Sequence, residues 1–160
     1  MKINQKTKEK ICAFYASDYH FEMMSLPYIN KNLDENNKII IFTENNLENT
    51  INILLSKINF KEEKKKKIFN IDWKDNDLEK FKKIKKIKKI GQNVIIFVKG
   101  KENYINNINK NIEKWIENEN NFKIIDCYDV NEIADNMDNI MKKYEKILNT
   151  SGEKRIEKGN

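Results

Sequence analysis

The chain has 160 residues, 39% of them hydrophobic and 35% charged, with 31 basic side chains against 25 acidic ones and a net charge of +6. That length suits one domain with one core, and apolar residues gathered into periodic blocks argue against disorder. No stretch approaches the roughly 18 apolar residues of a membrane span, and the polar, Lys-rich start lacks a leader's apolar centre, so a cytoplasmic protein is expected.

All basic residues but Arg155 are lysine, and the chain is heavily biased to Ile, Lys and Asn. Such a bias fits an AT-rich codon supply, which weakens any functional argument from charge. Scarce arginine also speaks against sequence-specific DNA reading, which relies on the bidentate guanidinium.

In chain order, Lys10–Ala16 reads as a first strand, Lys38–Thr43 as a second, Ile68–Trp73 as a third, Asn93–Lys99 as a fourth and Phe122–Tyr128 as a fifth. After the first strand, Phe21, Met24, Pro27, Tyr28 and Leu33 follow the helical period. Ser17 or Asp18 serves as N-cap, and Pro27 is a kink point because it lacks a backbone donor. Leu47, Ile51, Leu54, Leu55 and Ile58 form the next stripe, capped by Asn45 or Asn46. Leu78, Phe81, Ile84, Ile87 and Ile90 form the third, stopped by Gly91. Tyr104, Ile105, Ile108, Ile112, Trp115 and Ile116 make the fourth helix, and Ile133, Met137, Ile140, Met141, Tyr144 and Leu148 the fifth. Residues 1–150 are thus read as one α/β domain and residues 151–160 as a flexible polar tail.

Five strands alternating with helices predict a three-layer α/β sandwich around a mostly parallel five-stranded sheet. Runs such as Ile39-Ile40-Ile41-Phe42 suit strands covered on both faces. Ligands of such sheets bind beyond the carboxyl ends of the strands. The candidate binding residues there are Tyr15, Ser17, Asp18, Tyr19 and His20, then Glu44, then Asp72 and Trp73, then Tyr128 and Asp129; Lys99 and Gly100 end the fourth strand. Polar strand ends also cap helices and meet solvent in any α/β protein, so each residue carries a structural reading beside the functional one.

No catalytic template matches. The turn Ala16-Ser17-Asp18-Tyr19-His20 lacks the glycines and lysine of a phosphate cradle, and the sequence has neither G-x-S-x-G nor GxGxxG. His20 is the lone histidine, and Cys12 and Cys127 read as small buried hydrophobes rather than zinc ligands or nucleophiles. No catalytic residue, metal or cofactor is assigned. The lysines of Lys64–Lys67 and of the run Lys82–Ile90 read as solvated faces, with an acidic partner, a membrane surface or nucleic acid as the functional alternative.

The order of blocks resembles the RecA-like and KaiC-like branch of P-loop ATPases without its Walker A motif. Ile39–Glu48 resembles that branch's second strand, ending in an acidic residue, and Ile68–Asp72 its Walker B strand. The chain from about residue 10 to 148 further resembles the MEDS domain, a sensory module of methanogen and methylotroph regulators. The likeness rests on Cys12-Ala13-Phe14-Tyr15-Ala16-Ser17-Asp18 at the start and Ile125-Asp126-Cys127-Tyr128-Asp129 at the end. The resemblance implies a non-catalytic stand-alone sensor that binds a small molecule or a partner protein and signals to a separate regulator, a kinase or transcription factor. Members often keep a histidine near the first strand; here the histidine, His20, sits past the turn. Two other readings stay open: a nucleotide-binding or hydrolysing enzyme using Glu44, Asp72 and His20, and a nucleic-acid-associated protein acting through its lysines.

Overall fold

The computed structural model describes residues 8–34, 36–86, 93–115 and 121–157. Its strands are β1 (Lys8–Tyr15), β2 (Asn37–Thr43), β3 (Asn93–Gly100), β4 (Asn121–Asp129), β5 (Lys146–Asn149) and β6 (Gly152–Arg155). They form one sheet in the order β2-β3-β4-β1-β5-β6, parallel throughout except for β6, which runs antiparallel to β5.

Side chains alternate along each strand, so every run of consecutive apolar residues serves two cores. Ile11, Ala13, Ile41, Ile95, Phe97 and Ile125 face the layer of α1 (Asp18–Asn32), α2 (Glu48–Lys57) and α3 (Glu62–Phe69). Cys12, Ile40, Phe42, Ile96, Val98 and Ile124 face α4 (Asp77–Lys85), α5 (Glu102–Trp115), α6 (Val130–Ile133) and α7 (Met137–Met141). The expected three-layer α/β sandwich is therefore the observed architecture, with six strands among the described residues rather than five. Ser17 caps α1 by accepting from the His20 amide, and the helix continues across Pro27. None of the described helices is long and apolar enough to cross a membrane.

Three expectations about local structure are corrected. Ile68–Trp73 is not a strand: Ile68 and Phe69 end α3, and the chain then turns. Glu62 and Glu63 in the first turn and Lys66 and Lys67 in the last complement the helix dipole, and Ile68 alone of the helix is buried. Beyond it, Asp72 accepts from the amide of Lys74 and from Asn76, which holds the backbone in a turn. The segment likened to a Walker B strand thus lies outside the sheet.

The fifth helix breaks into α6, a 3₁₀ turn at Ala134–Asn136 and α7, and its expected last residue, Leu148, lies in β5. Ile147 packs on one face of the sheet and Leu148 on the other, a period of two that ends the helical stripe.

The expected tail forms β6. Gly152 at φ 106° turns the chain, and Glu153 accepts from Tyr28 Oη at 2.6 Å and from Lys123 Nζ at 2.9 Å. Ile87, Ile90, Gly91 and Ile116 lie outside the described residues.

Candidate functional site

Neighbouring strands β1 and β4 send their next helices to opposite faces of the sheet, as do β2 and β3. In an open parallel sheet this reversal opens a crevice at the carboxyl ends. Here Lys99 fills it. The residue continues the alternation of Ile95 and Phe97 on β3, so its stem enters the α1 layer and its side chain is 4% exposed.

The Lys99 ammonium lies 2.9 Å from Asp18 Oδ1 and donates to Asn45 Oδ1 at 3.0 Å. It also sits 4.7 Å from the centre of the Tyr15 ring and 5.5 Å from that of Phe21. Asn45 Nδ2 donates to the other oxygen of Asp18 at 2.9 Å, and Thr43 Oγ1 donates to the Asn45 carbonyl at 2.9 Å. The result is a closed polar knot joining β1–α1, β2–α2 and β3. Burial, reinforced by the charges of Asp129, Cys127, Asp18 and Glu44, pushes the Tyr15 phenol well above its ordinary pKa.

Several of the predicted site residues meet at this knot, but most are engaged in holding turns. His20 Nδ1 accepts from the Ala16 amide at 2.9 Å, so its proton resides on Nε2 and the ring locks the β1–α1 turn. Glu44 Oε1 accepts from the Lys101 amide at 2.6 Å, beside Gly100. A Cβ at position 100 would lie 2.4 Å from that oxygen and 2.8 Å from the Tyr104 ring, so glycine permits the approach. Asp129 caps α6 by accepting from the Asn131 amide at 2.9 Å. Tyr19 points outward and is 62% exposed.

The remaining three lie elsewhere. Trp73 is buried in the α1 layer and donates its indole N–H to the Ile68 carbonyl. Tyr128 faces the opposite layer, where its hydroxyl is 2.6 Å from that of Tyr144. Tyr144 donates to Asp126 Oδ2 at 2.7 Å and Asn109 donates to Oδ1 at 2.9 Å. Asp126 is fully buried, and burial raises its pKa even though Lys10, Asn109 and Tyr144 oppose the shift.

Asp72 lines a cavity of about 190 Å³ between β2 and the α3–α4 connection, together with Lys80 and Lys83. Lys80 is buried there, donates to the Lys74 carbonyl, and is pushed down to about 8 by burial, with Asp72 and Asp77 opposing. Glu44, Asp72 and His20 therefore serve three separate turns. Among the described residues no three His, Cys, Asp or Glu side chains gather in a metal-binding group. Lysines expected on solvated faces are mostly exposed, as Lys66, Lys67, Lys82, Lys83 and Lys85 are; Lys64, half-buried, donates to the Asn30 and Leu33 carbonyls near the end of α1, and Lys83 approaches Asp72 at 4.0 Å.

Beside the knot, α1 and α2 frame an open groove of about 530 Å³. Asp18, Tyr19 and Met23 line one side and Thr50, Ile53 and Leu54 the other, with Glu22 between them. Glu22 is 2% exposed and accepts from Thr50 Oγ1 at 2.5 Å. Burial raises its pKa, with the Thr50 hydrogen bond opposing. Sequence reasoning overlooked both Glu22 and Lys99 as site residues. Each had a signal: an ionisable side chain set at a position that strand or helix period assigns to the core.

Compared with known proteins, the chain matches no family model, no curated protein and no solved structure.

Proposed function

We propose that this protein is a non-catalytic regulatory domain that binds a small molecule in the groove between α1 and α2 and passes the signal to a separate protein such as a kinase or transcription factor. The observation that carries the reading is Lys99. Its buried ammonium, held by Asp18 and Asn45, takes up the crevice where a parallel α/β sheet ordinarily receives its ligand. No Gly-rich turn replaces it, and the polar residues of the strand ends are engaged in caps and turns.

The groove supplies what the crevice lacks: open volume in the range of small-molecule sites, apolar walls and a buried ionisable group. It borders the knot through Asp18, so an occupant that moves α1 against α2 also disturbs the contacts joining three strand ends. The sensory role implied by the MEDS resemblance agrees with this reading, and the proposal places the protein in the cytoplasm.

Two titrations followed by backbone amide resonances test it. Small apolar molecules are expected to shift Tyr19, Thr50 and Ile53, whereas ATP with magnesium leaves the β1–α1 turn unmoved. Saturable nucleotide binding at Ser17–His20, or ATP hydrolysis that disappears in Lys99→Met, would overturn the proposal.

A further inference from the structure

We infer that the groove between α1 and α2 takes a ligand with a protonated amine on an apolar body, the amine facing the carboxylate of Glu22. The inference rests on the groove being the binding site and names the chemistry it selects.

Glu22 lies on α1 among Phe21, Met23 and Met24, and its side chain enters the floor of the groove. Its carboxylate has room for about four hydrogen bonds. Among the described residues it receives one, from the neutral hydroxyl of Thr50, and no lysine or arginine lies within ion-pair distance. The neighbouring cation, Lys99, is already held by Asp18 at 2.9 Å. A buried carboxylate with a single neutral donor is under-coordinated, and a charged donor entering the groove supplies what is missing.

The rest of the lining sorts ligands further. Met23, Ile53, Leu54 and Ile58 offer apolar contact to a hydrocarbon or aromatic body. Tyr19 stands exposed at the same groove, and an aromatic ring there favours a cation over an anion. Asp18, at the same border, is already engaged by Lys99 and Asn45, which leaves Glu22 as the carboxylate for a ligand, while Lys57 on α2 opposes a second positive charge. One ammonium on a compact apolar frame meets all of these conditions.

Phenethylamine and 2-phenylethanol, nearly equal in shape and different in charge, form the test pair, titrated into the full chain with amide resonances as the readout. The amine is expected to bind about tenfold more tightly, the difference between a charge-assisted and a neutral hydrogen bond. In Glu22→Gln, which keeps the shape and the Thr50 contact, the two probes should come within about twofold of each other. The side-chain carboxyl carbon resonance of Glu22 in the wild-type protein gives a second readout, moving with the amine and not with the alcohol, and it serves even if the variant fails to fold.

Equal binding of the two probes in the wild-type protein would overturn the inference and leave the groove as a site. An amine preference that survives in Glu22→Gln, with the Glu22 carbon unmoved, would remove Glu22 from the role. If neither probe shifts α1 or α2, both the inference and the site it rests on are refuted.

Discussion

Replacing Asp18 with alanine leaves the Lys99 ammonium in the protein interior without its counter-ion. Stripping one partner from a fully buried ion pair destabilises by about 3–5 kcal/mol. Asp18 is 42% exposed on its side chain, and Asn45 and the rings of Tyr15 and Phe21 still face the ammonium, so the loss here reduces to about 2–3 kcal/mol. Lys99→Met behaves differently. It keeps most of the stem and removes the charge, while Asp18 retains Asn45 and gains water, so stability changes by less than about 1 kcal/mol. The double variant Asp18→Ala/Lys99→Met should recover most of what Asp18→Ala loses. Urea unfolding followed by circular dichroism measures all three; with a slope of about 2 kcal/mol per molar urea, Asp18→Ala shifts the midpoint down by about 1–1.5 M. If Lys99→Met is as damaging as Asp18→Ala, or if the double variant is no more stable than Asp18→Ala, then a desolvated charge is not what the knot neutralises.

Tyr144→Phe removes a donor from the buried Asp126 carboxylate and should destabilise by about 1.5–3 kcal/mol, read by the same urea titration. Asp126 has a folded-state pKa above its unfolded value of 3.8, so the native state binds the extra proton and stability from this group rises as pH falls through the folded pKa towards 3.8. Asp126→Asn should abolish that contribution, so that the wild-type melting temperature rises relative to the variant's as pH falls across this window. For Lys80 the sign is reversed: its pKa falls from 10.5 to about 8, the unfolded chain holds the proton longer, and stability rises between about pH 8 and 10.5. Lys80→Met should lose this rise, as seen by melting at pH 7.5, 8.5 and 9.5, and should be no less stable than wild type at pH 7.5. Gly100→Ala forces Glu44 off the Lys101 amide and presses on Tyr104, for about 1–3 kcal/mol, and Glu44→Ala in the same chain should relieve part of the loss.

The sandwich was legible because its strands carry long apolar runs on both faces, and those of β2, β3 and β4 sit where the sequence predicts. Ile68–Trp73 misled because four apolar residues in six look like a strand, whereas the charges that precede them make the first two residues the end of a helix. The reverse holds for Lys146–Asn149 and Gly152–Arg155. Each is only four residues long, β6 is mostly charged, and pairing rather than hydrophobic pattern makes it a strand, with Asn149, Thr150, Ser151 and Gly152 as the turn. At the site, residue type located the carboxyl ends of the strands but not the direction of each side chain. His20, Glu44, Asp72 and Asp129 each carried a capping reading beside the functional one, and each proves to accept from a backbone amide. Lys99 read only as the polar end of a strand, and its parity with Ile95 and Phe97 was the clue to its burial.

The antiparallel β6 decides how the sheet meets other molecules. Without it, β5 would offer a row of open amides and carbonyls beside Ile147 and Leu148, the kind of border on which a second chain can add a strand. With it, that border becomes a four-residue ribbon bearing Glu153, Lys154 and Arg155, too short and too charged to template further growth. At the opposite limit, β2 is flanked by Asp72 of the α3–α4 connection and by Lys80 and Lys83 of α4. Both borders of the sheet thus carry ionisable side chains, a feature that disfavours edge-to-edge pairing.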